Sequence, residues 1–136
     1  MGLFSHKINV KKLERRKDIP VLLEALNHKD INVQREAARA LGRIGGPKCV
    51  NELIKLLKTP GFQRVSKIVL LGDIAWALGE IRDKRAIKPL KELQEIKLGM
   101  GIGGGSFEEM MKQAAEAKKN VEFVKGKARE ALEKIG

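Results

Sequence analysis

The sequence is short of sulfur, of aromatic side chains and of long apolar runs, and each shortage excludes a class of protein. Its 136 residues include one cysteine, two histidines, four phenylalanines, one tryptophan and no tyrosine. The single cysteine, Cys49, excludes an intrachain disulfide and a cysteine-rich zinc site. No apolar run approaches the ~20 residues that a membrane-spanning helix needs. We therefore expect a soluble cytoplasmic protein that has no membrane partner.

Groups that could carry out chemistry are equally sparse. His6 and His28 lie in different segments, and neither has a carboxylate or second histidine at metal-ligand spacing. The glycine cluster at 99–105 matches the letters of a dinucleotide fingerprint, but it follows an amphipathic helix where that motif needs a strand. Cys49 opens a helix, whose dipole could lower the thiol pKa, yet no neighbouring base is identifiable. We expect no enzyme activity, no metal, no cofactor and no small-molecule substrate.

What the sequence does contain is one apolar pattern repeated three times. Its residues recur at spacings of three and four, which is typical of one buried stripe on an α-helix. Another short amphipathic helix precedes each copy, so the unit is helix, turn, helix. The three copies are Val33, Ala37, Ala40, Leu41 and Ile44, then Leu70, Ile74, Ala77, Leu78 and Ile81, then Val124, Ala128, Ala131, Leu132 and Ile135. This pattern predicts an all-α superhelix of about three helical hairpins.

The repeats divide the chain, which we expect to form a single domain, into four segments. We predict an amino-terminal helical cap at 1–17 and repeats at 18–45, 46–83 and 84–136, with a glycine-rich insertion at 99–105. Asn9 and Asp18 are expected to cap helices, because their side chains can accept hydrogen bonds from free backbone amides.

Two insertions separate the paired helices of the later repeats. The first, near 61–67, is predicted to lengthen the second helix of its repeat backwards. After the second, Ser106 and Glu109 have the spacing of a capping box, and the apolar period continues without a break. The period predicts one long helix over about 106–135.

The repeated motif resembles a known family. Ala40, Leu41 and Gly42, and again Ala77, Leu78 and Gly79, are similar to the HEAT-like repeat of the phycobilisome-lyase type. The resemblance covers residues 18–98 well and 120–136 more loosely, because Glu133 stands where the motif has glycine. It implies a right-handed stack of helical hairpins whose second helices line a concave, partner-binding face.

Outward positions of the second helices vary in charge and size while the inward positions stay apolar, as expected where a repeat protein recognises a partner. We call these residues the second-helix face: Arg35, Arg39, Arg43, Trp76 and Glu80. The face favours a non-enzymatic scaffold for protein–protein interaction. An ordinary solvated helix surface is the alternative for the arginines.

Trp76 and Asp73 stand out on the second repeated helix. The cover for Trp76 could be residues 106–120, a second copy of the chain, or a client protein. Asp73 aligns with Glu36 and Lys127 in the other copies, which favours a salt bridge between repeats over a functional carboxylate.

The charge balance suggests an alternative function. Lys and Arg number 28 against 17 Asp and Glu, a net charge of +11. Several basic residues fall at turns on the same edge of the predicted stack, and we call them the basic rim: Arg16, Lys17, Lys48, Arg82, Lys84 and Arg85. Such a rim could bind phosphates of a nucleic acid. The scarcity of aromatic residues disfavours base stacking, and the charge could equally serve solubility or thermostability.

Overall fold

The computed structural model describes residues 8–58, 68–95 and 106–136. Within these ranges the chain forms α-helices and one short 3₁₀ turn at Lys84–Ala86, with no strand. The helices are α1 (Val10–Arg15), α2 (Ile19–Ala25), α3 (Ile31–Ile44), α4 (Val50–Lys58), α5 (Ile68–Ile81), α6 (Ile87–Gln94) and α7 (Phe107–Ile135).

These helices form two layers. In the first layer α1 packs on α3, α3 on α5 and α5 on α7. The second layer holds α2, α4 and α6, and each of these helices packs on the layer-one helix that follows it in the chain. The pairs α2–α3, α4–α5 and α6–α7 are three successive hairpins, and α1 caps the first of them. The predicted all-α stack of three hairpins with an amino-terminal cap is confirmed.

The predicted helix starts are confirmed as well. The side chain of Asn9 accepts a hydrogen bond from the Lys12 amide at 3.1 Å, and Asp18 accepts one from the Val21 amide at 3.4 Å. Ser106 accepts from the Glu109 amide at 3.2 Å and begins α7, which runs unbroken to Ile135 as the period predicts. Each cap satisfies a backbone donor that a helix terminus would otherwise leave free.

Two sequence-based predictions lie outside the described residues. The backward extension of α5 concerns residues 61–67, and the glycine-rich insertion concerns 99–105.

Helix α5 lies at the centre of the core. Every residue from Ile68 to Gly79 is buried except Val69 and Trp76, which are half-buried. The helix can be apolar on nearly all sides because α3, α4 and α7 surround it. Leu41 and Leu78, the motif leucines of the first two repeats, are fully buried, and Leu132 packs against the same core.

The motif glycines set the spacing of the first layer. A Cβ on Gly42 would lie 2.8 Å from Ala77 Cα, and one on Gly79 would lie 2.7 Å from Ala131 Cα. Neither position can therefore carry a side chain unless the helices move apart. Glu133, at the equivalent position of α7, is exposed, so its side chain meets no such constraint.

Within the described ranges, no helix is both long enough and apolar enough to cross a membrane.

Candidate functional site

The second-helix face lies on neighbouring, parallel helices. Contacts of Arg35 with Asp73 and of Gly42 with Ala77 follow the same order along α3 and α5, so these two helices run in the same direction. Contacts of Gly72 with Phe123 and of Gly79 with Ala131 show the same for α5 and α7. The outward side chains of α3, α5 and α7 therefore form adjacent rows. Ion pairs connect these rows to one another.

The first connection is a carboxylate held by two arginines. Arg35 Nε lies 2.6 Å from Asp73 Oδ2, and Arg39 Nε lies 3.2 Å from Oδ1 of the same carboxylate. The Asp73 side chain is 6% exposed, against 28% and 42% for the two arginines. A salt bridge between repeats is thus present, but its partners are arginines of α3 rather than the aligned residues Glu36 and Lys127.

The second connection joins α1 to α3. Arg43 donates two hydrogen bonds to the Glu14 carboxylate, from Nε at 2.8 Å and from Nη2 at 2.7 Å. The paired geometry is the strongest that an arginine and a carboxylate can form. The hydrogen bonds lower the pKa of Glu14 and raise that of Arg43, because they favour the charged form of each group, and the opposite charges add to this effect.

The third connection joins α5 to α7 beside the tryptophan. Glu80 accepts a hydrogen bond from Lys134, whose Nζ also lies 5.9 Å from the centroid of the Trp76 ring. The ring also lies against Gly42, where an added Cβ would be 3.0 Å from Cζ3. Neither Lys134 nor Gly42 belongs to residues 106–120, the segment that was one possible cover for Trp76, and Trp76 is half-buried.

The charged members of the second-helix face are therefore held by residues that the sequence analysis did not include in it. Asp73, Glu14 and Lys134 supply the partners. The sequence did contain one indication of the pair between Glu80 and Lys134: these residues are 54 positions apart, as are the motif leucines Leu78 and Leu132.

The structure brings the three turns of the basic rim together on one edge. The ion pair between Glu14 and Arg43 holds the carboxyl ends of α1 and α3 side by side. Arg85 spans the next two turns, because its Nη2 donates to the Pro47 carbonyl at 3.2 Å and its Nη1 to Asn51 Oδ1 at 3.2 Å. These contacts make the three turns neighbours, and the basic rim and its function stay predictions.

All six basic rim residues are exposed. Arg85 pairs with Asp83 at 2.8 Å, and hydrogen bonds from Arg85 lower the pKa of Asp83 to about 2. No ion pair joins any of the other five to another described residue.

Two basic rim residues have an unusual backbone conformation. Lys17 has φ 55° and Arg82 has φ 59°, and they are the non-glycine residues with positive φ in the described ranges. Both directly follow the last turn of a first-layer helix, where the intervening repeat has Gly45 at φ 68°. A residue with a Cβ costs roughly 1–2 kcal/mol in this conformation, so glycine would be the easier choice.

Cys49 and His28, two residues considered for chemistry, each form a hydrogen bond with a nearby backbone group. Cys49 is buried and donates a hydrogen bond to the Gly46 carbonyl at 3.2 Å. Burial raises the pKa of its thiol, which overrides the lowering suggested by its place at a helix start. His28 Nδ1 accepts a hydrogen bond from the Asp30 amide at 2.9 Å. The described residues contain no group of three or more His, Cys, Asp or Glu that could hold a metal ion.

Comparison with known proteins characterises the repeats. The family model for HEAT repeats matches residues 19–95, from the first residue of α2 to the turn that follows α6. A search of curated proteins gave no match to the chain.

Proposed function

Because the matched residues make up more than half of its length, the chain belongs to the HEAT-repeat family, and on this premise we propose that it is a non-enzymatic scaffold. HEAT repeats generally serve as protein-interaction scaffolds. The surface that we assign to the interaction is the second-helix face, and the partner that we expect is another protein.

The observation that carries this proposal is that the face is built in advance. Its four charged side chains are held by ion pairs that reach from one helix to the next. Side chains that are already ordered lose less conformational entropy when a partner binds, which favours affinity. Arginine and tryptophan are also the residues most enriched among energetically dominant interface contacts.

The arginine pair suggests the chemistry of the partner. Arg35 and Arg39 share the single carboxylate of Asp73, so one positive charge remains in excess. Both arginines bond to Asp73 through Nε, and their Nη nitrogens make no hydrogen bond to another described residue. We expect a carboxylate of the partner to bind these nitrogens while an apolar group covers the accessible part of Trp76.

The same proposal includes the subtype of the repeats, the location of the protein and the role of its cysteine. The repeats are assigned to the phycobilisome-lyase type on the strength of the motif around Leu41 and Leu78. We expect the protein to act in the cytoplasm, without a cofactor or a small-molecule substrate. Burial of Cys49, the single cysteine, supports a structural rather than a nucleophilic role for this residue.

Two substitutions in the second-helix face test the proposal. We expect Trp76→Ala and Arg39→Ala each to keep a helical circular-dichroism spectrum and to reduce the proteins captured from native extract, measured by quantitative mass spectrometry. Met111→Ala and Arg129→Ala are the matched controls, because Met111 is 57% exposed and Arg129 is exposed on α7 away from the face. The control variants should retain the captured set.

Light scattering after size exclusion distinguishes a partner from self-association. A dimer that Trp76→Ala converts to a monomer would assign the face to a second copy of the chain. Unfolding of Trp76→Ala would place the ring in the core, and an unchanged captured set in both face variants would refute the proposed surface.

A further inference from the structure

The basic rim is a different surface from the second-helix face and calls for a different partner. Its six side chains come from the turns between α1 and α2, α3 and α4, and α5 and α6. Packed helices lie about 8–10 Å apart, so three adjacent turns span about 20 Å, or roughly six base pairs of B-form duplex. The basic rim is therefore a row of cations long enough to follow several phosphates.

Acidic groups at this edge are already engaged. Asp18 accepts the amide of Val21 at the start of α2, and Asp83 accepts the Arg85 amide and pairs with the Arg85 guanidinium. Glu14 pairs with Arg43, and Glu52 pairs with Lys55 in α4. The remaining five rim cations form no ion pair with a described residue, and of the carboxylates named here only that of Asp18, whose amide hydrogen bond does not neutralise it, is left to offset their charge.

The backbone gives a second reason to assign a role to these side chains. Lys17 and Arg82 occupy corresponding turns in the left-handed conformation, where Gly45 shows that the intervening repeat uses glycine. Both positions keep a long basic side chain although the fold would be easier to form without it. Strain that is retained at a surface turn indicates a contribution other than stability.

The composition of the basic rim distinguishes between two kinds of polyanionic partner, an acidic protein and a nucleic acid. Protein interfaces are depleted of lysine, are enriched in arginine and aromatic residues, and have an apolar centre. The basic rim has three lysines, three arginines and no aromatic residue. Binding to a phosphate backbone needs only such cations, with no apolar centre. Recognition of single strands adds aromatic residues for base stacking, which the basic rim lacks.

We propose that the basic rim binds the phosphate backbone of duplex nucleic acid without reading its sequence. The repeated turns set the cations in a row, and the chain's net charge of +11 and isoelectric point of about 10.0 attract the polyanion from a distance. Four cation–phosphate contacts would give a log–log salt slope of about −4, or a loss in affinity on the order of 100-fold between about 50 and about 200 mM salt.

The test is fluorescence anisotropy of the full chain with a labelled duplex of about 15 base pairs across a salt series. The rim variant combines Lys17→Gly, Lys48→Ala, Arg82→Gly and Lys84→Ala. Glycine relieves the backbone at two of these sites, so folding should be preserved, which thermal unfolding will verify. We expect a loss in affinity of at least roughly 10-fold and a slope shallower by about 3–4, because each lost contact contributes about 0.9.

The matched control removes the same number of charges elsewhere. Lys29, Lys58, Lys112 and Lys118 are exposed, and they lie at the opposite edge or in the amino-terminal half of α7. Changing all four to alanine should alter affinity by less than about 3-fold, since they do not belong to the row of contacts.

Four outcomes would overturn the proposal. They are no binding at micromolar protein in low salt, equal losses in the rim and control variants, tighter binding of a single strand of equal charge, and tighter binding of polyglutamate. The last two would assign the rim to a single strand or to an acidic protein. None of these outcomes bears on Trp76 and Arg39, so the scaffold proposal is tested separately.

Discussion

At the scale of single residues, Asp73 combines burial with charge. It is the buried acidic residue of the mainly apolar helix α5, and its side chain is 6% exposed. A carboxylate removed from water needs partners of opposite charge, because its desolvation is otherwise uncompensated. Arg35 and Arg39 supply two, and they remain partly exposed, so their own charges are still hydrated.

We expect Asp73→Asn to lower the free energy of unfolding by about 1.5–3 kcal/mol, because it removes two charged hydrogen bonds and leaves the arginines facing each other. Urea unfolding followed by circular dichroism measures this change. Glu80→Gln, which removes the exposed partner of Lys134 on the same helix, should cost less than about 1 kcal/mol. Equal losses in the two variants would show that burial does not distinguish the two pairs.

The pair formed by Asp83 and Arg85 predicts a pH dependence. The pKa of Asp83 is lowered from 3.8 to about 2 in the folded protein, because Arg85 donates hydrogen bonds to the ionised carboxylate. A carboxyl group whose pKa is lower in the folded than in the unfolded protein stabilises the fold fully at pH values above its unfolded pKa. This contribution is lost as the pH falls from about 4 towards about 2.

Asp83→Asn keeps an amide side chain that can still cap the following turn, but it removes this titration. We expect the variant to be less stable than the native protein at pH 6 and equally stable near pH 2, as measured by thermal unfolding across that range. A difference in stability that stays constant down to pH 2 would contradict the assignment.

At the scale of elements, a glycine of α5 and a glycine of α7 affect the stability of the protein in opposite directions. Gly79 lies at a close contact of α5 with α7, where an added Cβ would be 2.7 Å from Ala131 Cα, and Gly126 lies in the carboxyl-terminal half of α7 with no atom within 4 Å of an added Cβ. A helical glycine without a packing role lowers helix stability, whereas one at a close contact permits the packing.

Gly126→Ala should therefore raise the free energy of unfolding by about 0.5–1 kcal/mol, since alanine restricts the unfolded chain and favours the helix. Gly79→Ala should lower it by about 1–3 kcal/mol, because the new methyl group overlaps the backbone of Ala131. Thermal unfolding of the two variants provides the comparison. A loss of stability in Gly126→Ala would indicate that α7 bends or binds at this glycine.

At the scale of the whole molecule, the helices of the first layer pack on one another more extensively than those of the second layer do. Helices α3 and α5 each lie between two other helices of that layer, whereas α1 has α3 on one side. The amino-terminal half of α7 has exposed residues in nearly every turn, including Met111. Local opening should therefore cost more free energy in the centre of the layer than at its ends.

Amide hydrogen exchange tests this gradient. We expect the slowest exchange in α5 and α3, faster exchange in α1, and the fastest helical exchange in residues 107–116 of α7. Uniform protection across the described helices would instead mean that the protein opens as a single cooperative unit.

Sequence alone determined the helices, their pairing into hairpins and their caps. These features depend on neighbours a few positions away: apolar residues repeat every three or four positions, and Asn9, Asp18 and Ser106 each cap an amide three residues on. Recurrence of the motif leucines also placed Leu41 and Leu78 in one core. Such short-range rules hold whatever the rest of the chain does.

Only the tertiary structure decided which charges meet and how buried each group is. Asp73 binds arginines 38 and 34 positions away, and Arg43 binds a glutamate 29 positions away. These pairs depend on the offset and rotation between packed helices: the arginines that bind Asp73 lie one position before and three positions after its aligned residue, Glu36. Burial likewise raised the Cys49 pKa against the expected direction, because desolvation depends on what the rest of the chain places around a group.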